Sequence, residues 1–68
     1  MGTNEMIYQY KMQISDLKRN LTLTDYKAIK FAEGEITATE YAPVLQERRK
    51  WRDEINALET KIKALRGK

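Results

Sequence analysis

The chain has 68 residues, a formal net charge of +3, no cysteine and no histidine. That length holds one domain, residues 1–68, and a domain this small buries only about 60% of the surface its unfolded form exposes. Missing cysteine excludes a disulfide framework and a zinc ribbon, and missing histidine removes the commonest transition-metal ligand and the base best suited to neutral pH. Of the usual ways to stabilise so small a domain, oligomerisation is the one left open.

Ile7, Tyr10, Ile14, Leu17 and Leu21 recur at spacings of three and four, the period of a coiled-coil seam. They predict a first helix over residues 5–21, with Asn4 as N-cap and Glu5 at the positive end of the helix dipole. Asn20, Thr22 and Thr24 are expected to end it. The segment Leu23 to Gly34 then predicts a short middle helix over 24–33, with Thr24 as N-cap, Asp25 in the first turn and Gly34 as the left-handed closing residue. A helix of that length is marginal alone, so Ile29, Ala32 and Tyr26 are expected to dock it on its neighbours.

Thr37-Ala38-Thr39-Glu40 is a capping box, and Ile36 and Tyr41 stand at the positions of a hydrophobic staple. Pro43 lies too deep for a first-turn proline. It is expected to kink the helix or to split one short turn from a long helix that follows. From Tyr41 to Leu65 the residues Tyr41, Val44, Arg48, Trp51, Ile55, Leu58, Ile62 and Leu65 alternate in spacings of three and four. They predict a last helix over 38–66 with one polar break in its stripe, at Arg48. Glu59 and Lys63 are placed for an i, i+4 pair.

The expected fold is therefore all-α, a helical hairpin with a long C-terminal heptad helix, a shorter N-terminal one and a short middle helix. At 1.5 Å per residue the first helix would offer roughly 25 Å of seam and the last roughly 35 Å. The surplus would lack an intramolecular partner, and a second copy of the chain is expected to cover it. Ile7, Tyr10, Ile14, Leu17, Leu21, Val44, Trp51, Ile55, Leu58, Ile62 and Leu65 form the candidate self-association seam.

Arg48, Arg49, Lys50 and Arg52 surround Trp51 and are the candidate contacts to a partner or to phosphate. The plainer reading has Trp51 on the seam and Arg49 and Lys50 in water, offset by Asp53 and Glu54. Arg48 itself is expected to snorkel, its stem packed and its charge at the rim; fixing register is the alternative. Tyr8, Tyr10, Tyr26 and Tyr41 read as core or half-core residues with wet hydroxyls. Asn20-Leu21-Thr22 matches a glycosylation acceptor by chance.

The chain carries no Gly-rich phosphate loop, no nucleophile beside a base and no evident carboxylate pair, so no enzyme and no cofactor are expected. No apolar run nears the ~20 residues that span a bilayer. The first ten residues lack the apolar centre of a signal peptide. Residues 1–42 carry five Lys/Arg against six Asp/Glu, and residues 43–68 eight against four, so the basic character belongs to the last helix.

The blocks Leu23-Thr24-Asp25-Tyr26-Lys27-Ala28-Ile29-Lys30-Phe31-Ala32-Glu33-Gly34, Glu40-Tyr41-Ala42-Pro43 and Gln46 to Glu59, including Arg48-Arg49-Lys50-Trp51-Arg52-Asp53-Glu54-Ile55-Asn56, lie in the stretch 23–59, a little more than half of the chain. They resemble segments of tailed-phage and prophage proteins, tail-fibre-associated and tail-assembly-chaperone-like. The resemblance implies a phage or prophage origin, a non-catalytic role in contact with other proteins, and a place in the host cytoplasm or the virion. The reading is a self-associating adaptor or assembly factor that is a homodimer or higher homo-oligomer. The alternatives are a small inhibitor of a host defence or regulatory protein and, more weakly, a nucleic-acid-binding module.

Overall fold

Two apolar stripes of helical period, separated by a glycine-containing link, send the chain back along itself. The structure, a computed structural model, describes residues 2–67; the two end positions of the expected domain, 1 and 68, lie outside the described residues. It is an all-α helical hairpin of α1, Thr3–Ala32, and α2, Ala38–Arg66. Three cross-pairs fix the antiparallel register. Phe31 stacks on Tyr41 at the turn, with ring centroids 4.7 Å apart. Arg48 bonds Thr24 mid-way along the pair. Towards the open end Lys61 lies 5.7 Å from the centre of the Tyr10 ring.

The expected middle helix is not a separate element. Residues 5–21 and 24–33 belong to one continuous helix, because Thr24 does not act as a cap. Its hydroxyl donates within 3.0 Å of the Asn20 and Leu21 carbonyls of its own helix, a bonding mode open to threonine inside a helix. A break would also have stranded the backbone groups of two extra helix ends. Asn4 does not cap α1 either; the helix starts at Thr3 after Gly2, with no side-chain cap. Nor do Ile29 and Tyr26 dock: both are exposed, since they stand on the side of α1 turned from α2, and Ala32, at the end of the helix, is exposed as well.

Continuity equalises the two arms. Helices of 30 and 29 residues are each about 45 Å long at 1.5 Å per residue. The overhang expected of the last helix, and with it the expected unpaired stretch of seam, does not exist. α2 also runs unbroken through Pro43. The proline deprives only the Thr39 carbonyl of its bond, and both residues are exposed to water. The first turn is meanwhile held by the capping box: Glu40 N–H donates to Thr37 Oγ1, and Thr37 N–H to Glu40 Oε1, each at 3.1 Å.

The core is one layer thick. Ile14, Ile55, Leu58 and Ile62 are its buried centre, with Ile7, Tyr10, Leu17 and Leu21 packed against it. Among the described residues no side chain is fully buried. None of the described helices is long and apolar enough to cross a membrane.

The turn depends on Gly34, at φ 80°. Glu35 N–H bonds Lys30 O at 2.8 Å and Gly34 N–H bonds Phe31 O at 3.0 Å, the paired bonds that close a helix through a left-handed residue. A Cβ added at Gly34 meets nothing within 4 Å, so the cost of Gly34→Ala is backbone strain alone, about 1 kcal/mol. Urea denaturation followed by circular dichroism should show that loss, and a smaller one for Gly34→Asn. An alanine variant as stable as the parent would mean the left-handed residue does not hold the turn.

Candidate protein-interaction surface

Within α2, the polar break in the stripe is where the two helices are most specifically joined. Arg48 is 6% exposed. Its Nη1 donates to Leu21 O at 2.8 Å and Thr24 Oγ1 at 2.7 Å, and its Nη2 to Asp25 Oδ1 at 2.9 Å. The expected snorkelling does not occur. The guanidinium turns inward because α1 presents a carbonyl, a hydroxyl and a carboxylate along its path, which together satisfy both arms of the fork. Asp25 remains 56% exposed, so the ion pair sits at the edge of a buried hydrogen-bond cluster. Here the alternative, a polar residue that fixes register, describes the geometry.

This placement divides the candidate contact residues. Arg48 is spent inside the hairpin, while Arg49, Lys50 and Arg52 are exposed. At helical spacing Arg49 and Arg52 share a face and Lys50 points elsewhere, so the three do not form one phosphate cradle. Trp51 is half-buried, as are Val44 and Leu65. The candidate self-association residues Ile7, Tyr10, Ile14, Leu17, Leu21, Ile55, Leu58 and Ile62 meet one another within a single chain. Of the tyrosines, Tyr41 is buried, Tyr10 half-buried, and Tyr8 and Tyr26 exposed.

Two surfaces stand out that the sequence reading did not isolate. The first is on α1. Every large apolar side chain exposed among the described residues lies there, and none on α2. Tyr8, Met12, Leu23, Tyr26 and Ile29, all between 51% and 63% exposed, gather on the side away from α2. Tyr8, Met12, Ser15, Arg19, Thr22, Tyr26 and Ile29 recur at spacings of four and three without a slip, with Leu23 beside them. This is a second heptad pattern on the same helix, apolar towards its two ends and polar at Ser15, Arg19 and Thr22 in the middle.

The second is an open groove between the helices near their free ends. Ile14 and Ile62 form its floor, and Lys11, Lys18, Lys63 and Arg66 line it against a single carboxylate, Glu59. The groove on the opposite side carries Asp16 and Glu54 with Lys61. Among the described residues the one ion pair is Arg48–Asp25, so the expected Glu59–Lys63 pairing is not made.

No protein-family model, curated protein or solved structure matches the chain. Its surfaces therefore carry the functional reading. Both were present in the sequence as patterns: the outer stripe as a second 4-3 repeat overlapping the first, and the groove as Lys11 and Lys18 one heptad apart.

Substitutions in the Arg48 cluster separate its parts. Thr24→Val removes an acceptor from a buried cation and should cost on the order of 1–3 kcal/mol. Arg48→Met removes the cation itself, leaving Asp25 in water and Thr24 bonded to its own helix. That exchange should stay within about 1 kcal/mol of the parent. Denaturation midpoints in the reverse order would show that the guanidinium stabilises the hairpin outright.

Proposed function

We propose that this chain is a helical protein-interaction module that associates with itself, serving as an adaptor or assembly factor of a tailed phage or prophage. The observation that carries the interaction role is the one-sided exposure of apolar residues. α2 turns a charged face to solvent, and α1 turns a heptad stripe of tyrosine, methionine, leucine and isoleucine there. Aromatic residues and methionine are the types enriched where proteins meet, and clustered exposure of this kind marks an interaction surface. The phage assignment is supported by the resemblance of the Thr24–Gly34 and Arg48–Asn56 blocks, and a place in the host cytoplasm or the virion goes with it.

The shape of the molecule supports self-association on grounds other than the seam overhang. A compact monomer of 8.0 kDa would expose roughly 4,500 Å². The hairpin exposes 5338 Å². Its radius of gyration, 15.5 Å, compares with about 11 Å for a compact chain of this length. A rod of 49 × 15 × 15 Å with a single-layer core gains burial most directly by lying against another rod. The nucleic-acid alternative has lost Arg48 from its cluster and retains cations spread round α2. The inhibitor alternative would use the same apolar stripe against a host protein.

Light scattering after size exclusion gives the absolute mass in solution. At two concentrations on the order of ten and a hundred micromolar, the expected mass is that of a dimer or larger assembly, with any monomer appearing at the lower concentration. A chain that stays monomeric and helical at both would remove self-association and leave the stripe to a different protein.

A further inference from the structure

We infer that the outer stripe of α1 is the dimer interface, and that a second copy of the chain docks on it antiparallel, α1 against α1, about a two-fold axis. The inference rests on the self-association proposed above and assigns it a face and an orientation.

The choice of face follows from charge. Across a two-fold axis a surface meets itself, so it must be self-complementary. The groove of Lys11, Lys18, Lys63 and Arg66 fails that test, because it would set cations on cations. The outward side of α2 holds exposed Arg49, Asp53, Asn56 and Thr60 and no large apolar residue, so it has little to bury. The outer stripe of α1 has five apolar side chains and one charge, Arg19.

Arg19 decides the orientation. In a parallel pair equivalent residues share a level, so the two Arg19 side chains would meet inside the seam. Flanking pairs of Lys11 with Asp16 and of Asp25 with Lys30 would form at the rim. Exposed rim pairs contribute little, whereas like charges brought together in an interface are strongly unfavourable. An antiparallel pair eases the conflict, because the two Arg19 residues no longer share a level and lie three residues, about 4.5 Å, apart along the axis. One register sets Met12 opposite Ile29 of the second copy, Ser15 opposite Tyr26, and Arg19 opposite Thr22, whose hydroxyl is a compatible acceptor. The same register brings Lys18 to Asp25 of the second copy on both sides of the axis and lays Leu23 over Asp16. A shift of one heptad, with Tyr8 facing Tyr26, would instead oppose Lys18 to Lys18 and Asp16 to Asp16. In the favoured register α1 becomes the inner helix of a four-helix assembly. The charged face of α2 then forms its outside.

Because the chain has no cysteine, single-cysteine variants report the arrangement directly. Met12→Cys and Ile29→Cys proteins, mixed and mildly oxidised, should give the mixed disulfide dimer in several-fold excess over either homodimer, since only that pair is brought within bridging distance. Separately, Tyr26→Glu should weaken dimerisation at least about tenfold with the helical circular dichroism retained, because Tyr26 is exposed and its ring lies against Lys30 of its own helix. A wild-type monomer would overturn self-association and this interface together. A wild-type dimer that persists in Tyr26→Glu would overturn the face alone. Homodimers of Met12→Cys in excess over the mixed dimer would overturn the antiparallel orientation.

Discussion

The hairpin is organised around one buried cation. Aliphatic contacts between the helices are non-directional, and a heptad seam tolerates a slip of seven residues with much of its apolar pairing intact. The Arg48 guanidinium tolerates none. Its bonds to Leu21 O, Thr24 Oγ1 and Asp25 Oδ1 exist at one register only, and any slip would leave a buried charge without partners. The cluster also makes use of the continuity of α1. The same hydroxyl that would have capped a new helix is held in its own helix and serves as the acceptor for Arg48. Specificity of alignment, more than net stabilisation, is what such a buried polar cluster supplies.

The second determinant is thinness. Two helices share one seam, and a side chain in that seam has neighbours on two sides and solvent near a third. This is why the best-covered aliphatic residues still keep 7–8% of their surface. The stacked Phe31–Tyr41 pair and the cation over Tyr10 extend contact to both ends of the rod, yet neither thickens it. A molecule of this form has more surface than it can cover by itself. The apolar share of that surface is concentrated on one helix.

Much of this was legible from residue order. The heptad spacings of Ile7 to Leu21 and of Tyr41 to Leu65 identified the facing sides of both helices, and Thr37–Glu40 and Gly34 identified the two ends of the turn. What was not legible was the passage through Thr22 and Thr24. Threonine is a cap when its hydroxyl meets free amides and a helix residue when it meets its own preceding carbonyls, and sequence alone does not distinguish the two. The hydroxyl here bonds its own helix and also accepts from Arg48, 24 positions away. That single ambiguity produced the false middle helix, the false overhang and the expected docking of Tyr26 and Ile29. Arg48 was correctly singled out as anomalous, but the direction of its side chain depended on acceptors from the other helix. The outer stripe was masked by the stronger one that it overlaps.

The order of contacts along the rod bears on how it forms. Each pair away from the turn joins residues further apart in sequence, from Phe31 with Tyr41, through Thr24 with Arg48, to Tyr10 with Lys61. Loop-closure entropy rises with that separation, and local contacts are the ones that form early. The hairpin is thus built to zip from its turn outward. By sequence separation the capped link is the cheapest contact to close, and the arginine cluster stands half-way along. A misaligned pair of helices meets that cluster before the main aliphatic core has closed, at a stage when reopening costs little.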